Sequence, residues 1–203
     1  EFVKPIGRTH YSDKKRYISM SGSGIEFLCK GSYAYITVIG DGAENQRSNH
    51  HARFAIYKND ELIYDDTVNF QKKKYHIDIN DFENGAVIRL VKLSEAINSG
   101  FYIGIIGAFS NGDIEPTEEK ELKIEFFGDS LTCGYGIDAG SVGEFSTETE
   151  NFTKTYAYLT CRNLNADYSA ICFSGYGLLS GFTVNGVINR ESTIDRYFDK
   201  SAI

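Results

Sequence analysis

The fold of the second half of the chain is decided by the stretch KIEFFGDSLTCGYG at residues 123–136. Its first five residues predict a strand, because aromatic and β-branched residues favour extended backbone. The strand runs directly into Gly128, Asp129 and Ser130, so a serine follows a tight turn flanked by glycines. There the hydroxyl can stand clear of the sheet edge, and neighbouring backbone N–H groups can point at a developing oxyanion. The stretch therefore predicts Ser130 as a nucleophile.

The residues after this turn predict an α/β unit. Residues 154–164 predict a helix and residues 168–173 a returning strand. One helical face is expected to carry Tyr156, Leu159, Cys161 and Leu164. A strand, loop, helix and strand in this order are typical of parallel strands joined by a helical crossover. In the intervening loop, Glu148 and Glu150 could line the cleft, but a solvated acidic loop is the expected arrangement.

The first half of the chain has a different pattern. Short runs rich in β-branched and aromatic residues occur at 33–39, 53–57, 61–64, 86–91 and 101–106. Turn-forming residues separate them, among them Lys58-Asn59-Asp60 and Glu83-Asn84-Gly85. Many short strands without an intervening helix predict an antiparallel β-sandwich of the jelly-roll type.

The boundary between the halves is predicted at a polar, acidic segment. Residues 111–120 have the Pro, Gly and Glu content of a linker, and the pattern changes after them. We therefore expect a β-sandwich over residues 1–112, a linker over 113–121, and an α/β domain over 122–203.

Composition limits the classes of function. Hydrophobic residues make up 41% of the chain and charged residues 24%, which is enough apolar material for a core. The net charge of −7 and the scattered basic residues argue against nucleic acid as a partner. No stretch approaches the ~20 apolar residues of a membrane span. The four cysteines, Cys29, Cys133, Cys161 and Cys172, form no CxxC pair, so buried free thiols are expected rather than a zinc site or a disulfide.

The motif at Ser130 resembles a known family. The tetrapeptide at 128–131 is similar to the first block of the SGNH (GDSL) hydrolases, and the longer run at 128–136 resembles carbohydrate esterase family 2. Further likenesses occur at 6–9, 21–27, 91–95 and 162–168. The resemblance implies a jelly-roll-like sandwich followed by a flavodoxin-like SGNH domain. It also implies a secreted or cell-surface bacterial esterase that removes O-acetyl groups from xylan or glucomannan without a metal or organic cofactor.

The same resemblance implies roles for individual residues. Ser174-Gly175-Tyr176-Gly177 matches the expected place of the second SGNH block, so the N–H groups of Gly175 and Ser130 would form the oxyanion hole. Gly128 would let the backbone turn sharply. Asp129 would orient the loop, because a residue adjacent to the nucleophile cannot readily reach a distant histidine.

A serine nucleophile also needs a base, most often a histidine. All four histidines, His10, His50, His51 and His76, precede Ser130 and are expected to be surface or turn residues. The SGNH blocks that would supply an oxyanion-hole asparagine and the catalytic histidine are not found in this sequence. We therefore expect the chain to be the N-terminal part of a longer esterase.

Two alternatives remain open from the sequence. The tyrosines of the β-rich half could stack on sugar rings in a carbohydrate-binding module, although tyrosines on strands are more often packing residues. They include Tyr11, Tyr17, Tyr33, Tyr57 and Tyr64. A GDSL lipase or thioesterase is the other alternative, because a fold does not determine the acyl substrate.

Overall fold

The computed structural model describes residues 2–40, 50–81, 83–96, 102–141 and 145–201. The strands are β1 Lys4–Ile6, β2 His10–Ser12, β3 Lys15–Ile18, β4 Gly24–Lys30, β5 Tyr33–Ile39, β6 Arg53–Lys58, β7 Glu61–Thr67, β8 Lys72–Asp78, β9 Ala86–Lys92, β10 Ile103–Ser110, β11 Asp113–Pro116, β12 Lys123–Gly128 and β13 Asp167–Cys172. The helices are α1 Ser130–Cys133 and α2 Tyr156–Asn163, with 3₁₀ helices at Thr147–Thr149, Phe152–Lys154 and Ile194–Tyr197.

Strands β1 to β11 form two antiparallel sheets. One has the order β1-β4-β9-β6-β7, with β11 also paired to β4, and the other has the order β2-β3-β10-β5-β8. Side chains alternate across each strand, so Ala34, Ile36 and Val38 of β5 are buried while their neighbours are partly exposed. Buried residues of both sheets form one hydrophobic cluster, which contains Phe27 and Ile88 of the first sheet and Ile36 of the second.

The predicted strands agree with these elements. Those at 33–39, 53–57, 61–64 and 86–91 are confirmed as β5, β6, β7 and β9, and the turn between β6 and β7 has positive φ at Asn59 and Asp60. The strand expected at 101–106 begins at Ile103 as β10, and residue 101 lies outside the described ranges. Strand β8 was not predicted, because its sequence begins with three lysines. It lies at the edge of its sheet, where lysines are tolerated facing solvent.

Part of the predicted linker belongs to the first sheet. Residues Asp113–Pro116, the start of the segment expected to link the domains, form β11 and pair with Lys30 to Phe27 of β4. The side chain of Ile114 packs against the sandwich core. Pro116 occupies the last position of this strand, as is common for proline at a strand end or sheet edge. The polar composition of residues 113–116 did not indicate a strand, because only Ile114 of β11 packs against the core.

The second part of the chain contains the predicted parallel pair. Strands β12 and β13 pair in parallel from Lys123 opposite Asp167 to Gly128 opposite Cys172, and α2 lies between them in sequence. The predicted helix is therefore confirmed, but of the four residues expected to share one face only Cys161 is buried. Tyr156, Leu159 and Leu164 are each about half exposed, at 53%, 49% and 55%, whereas Ala157, Tyr158 and Cys161 are buried. The ring of Tyr158 packs edge-on to Phe152 and Tyr168, and this contact sets the rotation of the helix.

The sandwich and the α/β unit contact each other through buried groups. The ring of Phe152 lies over Gly22, where an added Cβ would be 2.3 Å from Phe152 Cε1. The Phe152 N–H donates to Leu93 O at 3.1 Å, and the Tyr168 hydroxyl donates to Gly22 O at 2.9 Å. The loops around residues 22 and 93 of the sandwich are therefore part of the support for the α/β unit.

Candidate active site

The candidate site lies at the carboxyl ends of β12 and β13. Gly128 and Cys172 are the last paired residues of these parallel strands, and the Phe173 N–H donates to Gly128 O at 3.2 Å. Ser130 follows the end of one strand and Gly175 the end of the other. Because the carboxyl ends of parallel strands meet at one edge, both loops leave the sheet on the same side. This edge is where ligands bind in open α/β sheets.

Ser130 is the first residue of helix α1. The Asp129 carboxylate caps this helix by accepting the Leu131 N–H at 3.0 Å, and the Asp129 carbonyl accepts the N–H groups of Thr132 and Cys133 at 3.0 Å each. Ser130 is half-buried, and its hydroxyl has no hydrogen-bond partner within the described ranges.

Gly175 begins the second loop in a conformation that favours glycine. Its φ is +82°, in the left-handed region that residues with a Cβ rarely adopt. The Gly175 carbonyl accepts the Phe182 N–H at 2.7 Å, while its own N–H donates to no residue of the described chain. The turn therefore leaves an amide hydrogen unused beside the end of β13.

A cavity of about 320 Å³ lies at this edge of the sheet. It is lined by Phe127, Gly128, Asp129, Leu131, Thr132, Tyr156, Tyr176, Gly177, Leu178 and Ile194. Three of the lining residues are sequence neighbours of the candidate site residues: Asp129 and Leu131 of Ser130, and Tyr176 of Gly175. A cavity of about 330 Å³ at the opposite ends of the two strands has a charged lining that includes Lys4, Lys123 and Asp167. Of these two cavities, the first lies at the sheet edge where Ser130 and Gly175 follow their strands, and neither residue is among its lining residues.

Gly128 is required by packing rather than by the turn that the sequence suggested. Its φ is not in the left-handed region, but an added Cβ would lie 2.0 Å from Thr132 Oγ1 and 2.7 Å from Thr132 Cβ. Thr132 in turn is held by a 2.8 Å hydrogen bond between its hydroxyl and that of Tyr156. The strand can approach α1 this closely only without a side chain.

We expect Gly128→Ala to lower the free energy of unfolding by about 1–3 kcal/mol, because the methyl group overpacks the contact with Thr132. Urea denaturation measures the change. Gly140→Ala is the matched control, since a Cβ at Gly140 has no heavy atom within 4 Å, and it should change stability by less than about 0.5 kcal/mol. Equal effects of the two substitutions would contradict this account of Gly128.

A buried charged cluster lies behind the two loops and was not predicted from the sequence. Lys92, Glu95 and Glu150 are each fully buried, so the expectation that Glu150 is solvated is wrong, whereas Glu148 is exposed. Burial disfavours the charged form of both kinds of group. It therefore raises the pKa of the Glu150 carboxyl to about 8 and lowers the pKa of the Lys92 ammonium to about 8. In the sequence, the only indication that this segment matters was the resemblance of residues 91–95 to carbohydrate esterase family 2. That resemblance did not predict that Lys92 or Glu95 is buried.

The histidines and cysteines are placed as follows. His10 and His76 are exposed, His50 is partly exposed, and His51 is buried, which departs from the expected surface or turn position. Within the described ranges, no hydrogen bond or ring contact joins a histidine to Ser130. All four cysteines are buried free thiols, and the described residues contain no group of His, Cys, Asp and Glu arranged to hold a metal ion.

The tyrosines of the sandwich have packing contacts. Tyr64 donates to His76 O at 2.7 Å and packs edge-on to Tyr75, and the Tyr57 hydroxyl lies 3.1 Å from that of Thr153. Tyr11, at 60% exposed, is the most exposed of the tyrosines considered as stacking surfaces for sugar rings.

Among the residues that the structure describes, none lies in a helix with the length and apolar character needed to cross a bilayer.

Comparison with known proteins agrees with the motif. No protein-family model matches the chain. A curated cellulase/esterase of Acetivibrio thermocellus is 46% identical over 63 residues, which are 30% of this chain and 8% of that protein. An acetylxylan esterase / glucomannan deacetylase of Cellvibrio japonicus is 30% identical over 116 residues, 54% of this chain and 31% of that protein.

Solved structures extend the likeness to most of the chain. A family two carbohydrate esterase from Clostridium thermocellum, in complex with cellohexaose, is 28% identical with a TM-score of 0.74, and the match covers 91% of this chain and 55% of that one. An acetyl xylan esterase from Butyrivibrio proteoclasticus shares the fold, with a TM-score of 0.83 at 20% identity over 98% of this chain and 52% of that one. The resemblance to carbohydrate esterase family 2 is confirmed, and these relatives are carboxylic ester hydrolases. The chain spans less than a third of the curated relatives and about half of the solved chains.

Proposed function

We propose that this chain is the N-terminal part of a serine esterase that removes O-acetyl groups from plant cell-wall polysaccharide, either xylan or glucomannan. The observation that carries the proposal is the position of Ser130 at the carboxyl edge of a parallel strand pair. Its hydroxyl makes no hydrogen bond within the described ranges, and it lies on the same sheet edge as the Gly175 turn. The esterases among the relatives support the same class of reaction.

In the proposed mechanism, Ser130 Oγ attacks the acetyl carbonyl and transfers its proton to a histidine. The N–H groups of Ser130 and Gly175 stabilise the oxyanion of the tetrahedral intermediate. Collapse of that intermediate breaks the ester bond, and the histidine returns the proton to the sugar oxygen. Water then attacks the acetyl-serine, and acetate leaves. These steps need no metal or organic cofactor.

The histidine belongs, in this proposal, to residues C-terminal to Ile203. The proposed organisation is a jelly-roll-like sandwich that extends through β11 to Pro116, a shortened linker, and an incomplete flavodoxin-like SGNH domain at 122–203. Export to the cell surface or medium is part of the proposal, because a polysaccharide substrate lies outside the cell.

The experiment compares the 203-residue chain with the protein extended beyond Ile203, using acetylated xylan and acetylated glucomannan. We expect acetate release, and a fluorophosphonate adduct at Ser130, from the extended protein and not from the short chain. Turnover of longer acyl esters or thioesters in place of these polymers would indicate a GDSL lipase or thioesterase. Polysaccharide binding without an adduct at Ser130 would indicate a carbohydrate-binding module.

A further inference from the structure

One buried carboxylate oxygen contacts both loops of the candidate site. Glu95 Oε2 accepts the Ser174 N–H at 2.5 Å and lies 3.3 Å from Cys133 Sγ, which donates to it. Ser174 immediately precedes Gly175, and Cys133 is the last residue of the helix that begins at Ser130. The same oxygen therefore contacts the residue before Gly175 and the residue one helical turn after Ser130.

Glu95 itself comes from the β-sandwich. It follows β9, and its backbone N–H donates to Glu150 Oε2 at 2.9 Å. The Lys92 ammonium donates to the carbonyls of Ser94 and Glu95 at 2.6 and 2.9 Å. Since these side chains are fully buried, the segment that carries Glu95 has little freedom to shift relative to the α/β unit.

The buried cluster holds more acidic than basic groups. One ammonium group and two carboxyl groups share the interior, so full ionisation would leave an excess negative charge away from water. Burial raises the pKa of Glu150, which favours its neutral form. Burial also raises the pKa of the Cys133 thiol well above its ordinary value, so this thiol remains an S–H donor. The Glu95 side chain therefore accepts hydrogen bonds from two donors that keep their protons, the Ser174 N–H and the Cys133 thiol.

We infer that Glu95 of the sandwich is a positioning residue for the esterase site, holding the Gly175 loop against the helix that begins at Ser130. The inference rests on the proposed function for its catalytic consequence. It means that the sandwich is not an appended binding module, since one of its carboxylates sets the distance between the nucleophile and an oxyanion donor. Misplacement of such groups by about 1 Å can lower a rate by about 10²-fold.

The test uses the full-length protein with Glu95→Ala and Glu95→Gln. We expect Glu95→Ala to lower kcat on acetylated xylan by about 10²-fold with KM changed less than about threefold, because the loops position the reacting groups rather than the polymer. Glu95→Gln keeps the shape and one acceptor oxygen, so it should retain kcat within about tenfold of the parent. Ile36→Ala, in the core of the sandwich, is the control for lost stability and should leave kcat unchanged where the protein is folded.

Hydrogen exchange at the Ser174 amide is a second readout that does not depend on activity. Loss of the acceptor in Glu95→Ala should speed exchange at Ser174 by at least about tenfold, with no change in β5. Unchanged exchange at Ser174, a kcat within about threefold of the parent, or a Glu95→Gln variant as impaired as Glu95→Ala would overturn the inference. If the parent protein releases no acetate, the proposed function fails, and the exchange measurement still decides whether Glu95 holds the loop.

Discussion

Replacing Ser130 by alanine is expected to lower the rate of acetate release by at least about 10⁴-fold in the protein extended beyond Ile203. The substitution removes the only atom that forms the covalent acetyl intermediate in the proposed mechanism. The residual rate would come from the oxyanion donors and from binding alone. Acetate release from acetylated xylan, followed at saturating substrate, measures the change.

The folded structure should be unaffected by Ser130→Ala. The Ser130 hydroxyl has no hydrogen-bond partner within the described ranges, and the helix is capped by Asp129. The free energy of unfolding measured by urea denaturation should therefore match that of the parent within about 0.5 kcal/mol. Ser141→Ala, at an exposed position of the following loop, is the matched control and should keep full activity. Comparable activity of the Ser130 and Ser141 variants would remove Ser130 from the mechanism.

Phe152→Ala should cost about 3–5 kcal/mol of unfolding free energy, the largest stability effect that we expect from a single substitution outside the sandwich core. The Phe152 ring is fully buried, packs against Tyr158 and Tyr168 with centroid distances of 6.2 and 5.5 Å, and covers Gly22 of the sandwich. Its removal leaves a cavity where the two parts of the chain meet. Urea denaturation measures the loss.

Phe109→Ala provides the control for this prediction. Phe109 lies on β10 with 59% of its surface exposed, so its truncation removes little buried area. We expect a change of less than about 1 kcal/mol. If Phe152→Ala were as mild as Phe109→Ala, the contact between Phe152 and the sandwich would not contribute to stability as the packing indicates.

The local elements were predictable because their signals are local. The alternating residues at 33–39 show which face of β5 is buried, and the Asn59-Asp60 pair supplies the turn between β6 and β7. The position of Ser130 was predictable for the same reason. The strand before it and the Gly-Asp-Ser turn are each determined by residues close together in the chain. Strand β11 and the buried face of α2 were not predicted, since both depend on contacts with distant segments.

The sequence alone determined that an antiparallel β-rich half precedes a parallel pair, and that Ser130 stands at the end of one of its strands. Which charged residues are buried was decided only by the tertiary structure. Glu95 forms hydrogen bonds with Glu150, which is 55 residues away in the sequence, and with Ser174, which is 79 residues away. A glutamate is ordinarily exposed, and the burial of Glu95 is tolerated here because the distant Ser174 N–H and Cys133 thiol donate hydrogen bonds to it, while the nearby Lys92 supplies a compensating charge. No pattern within a short window carries that information.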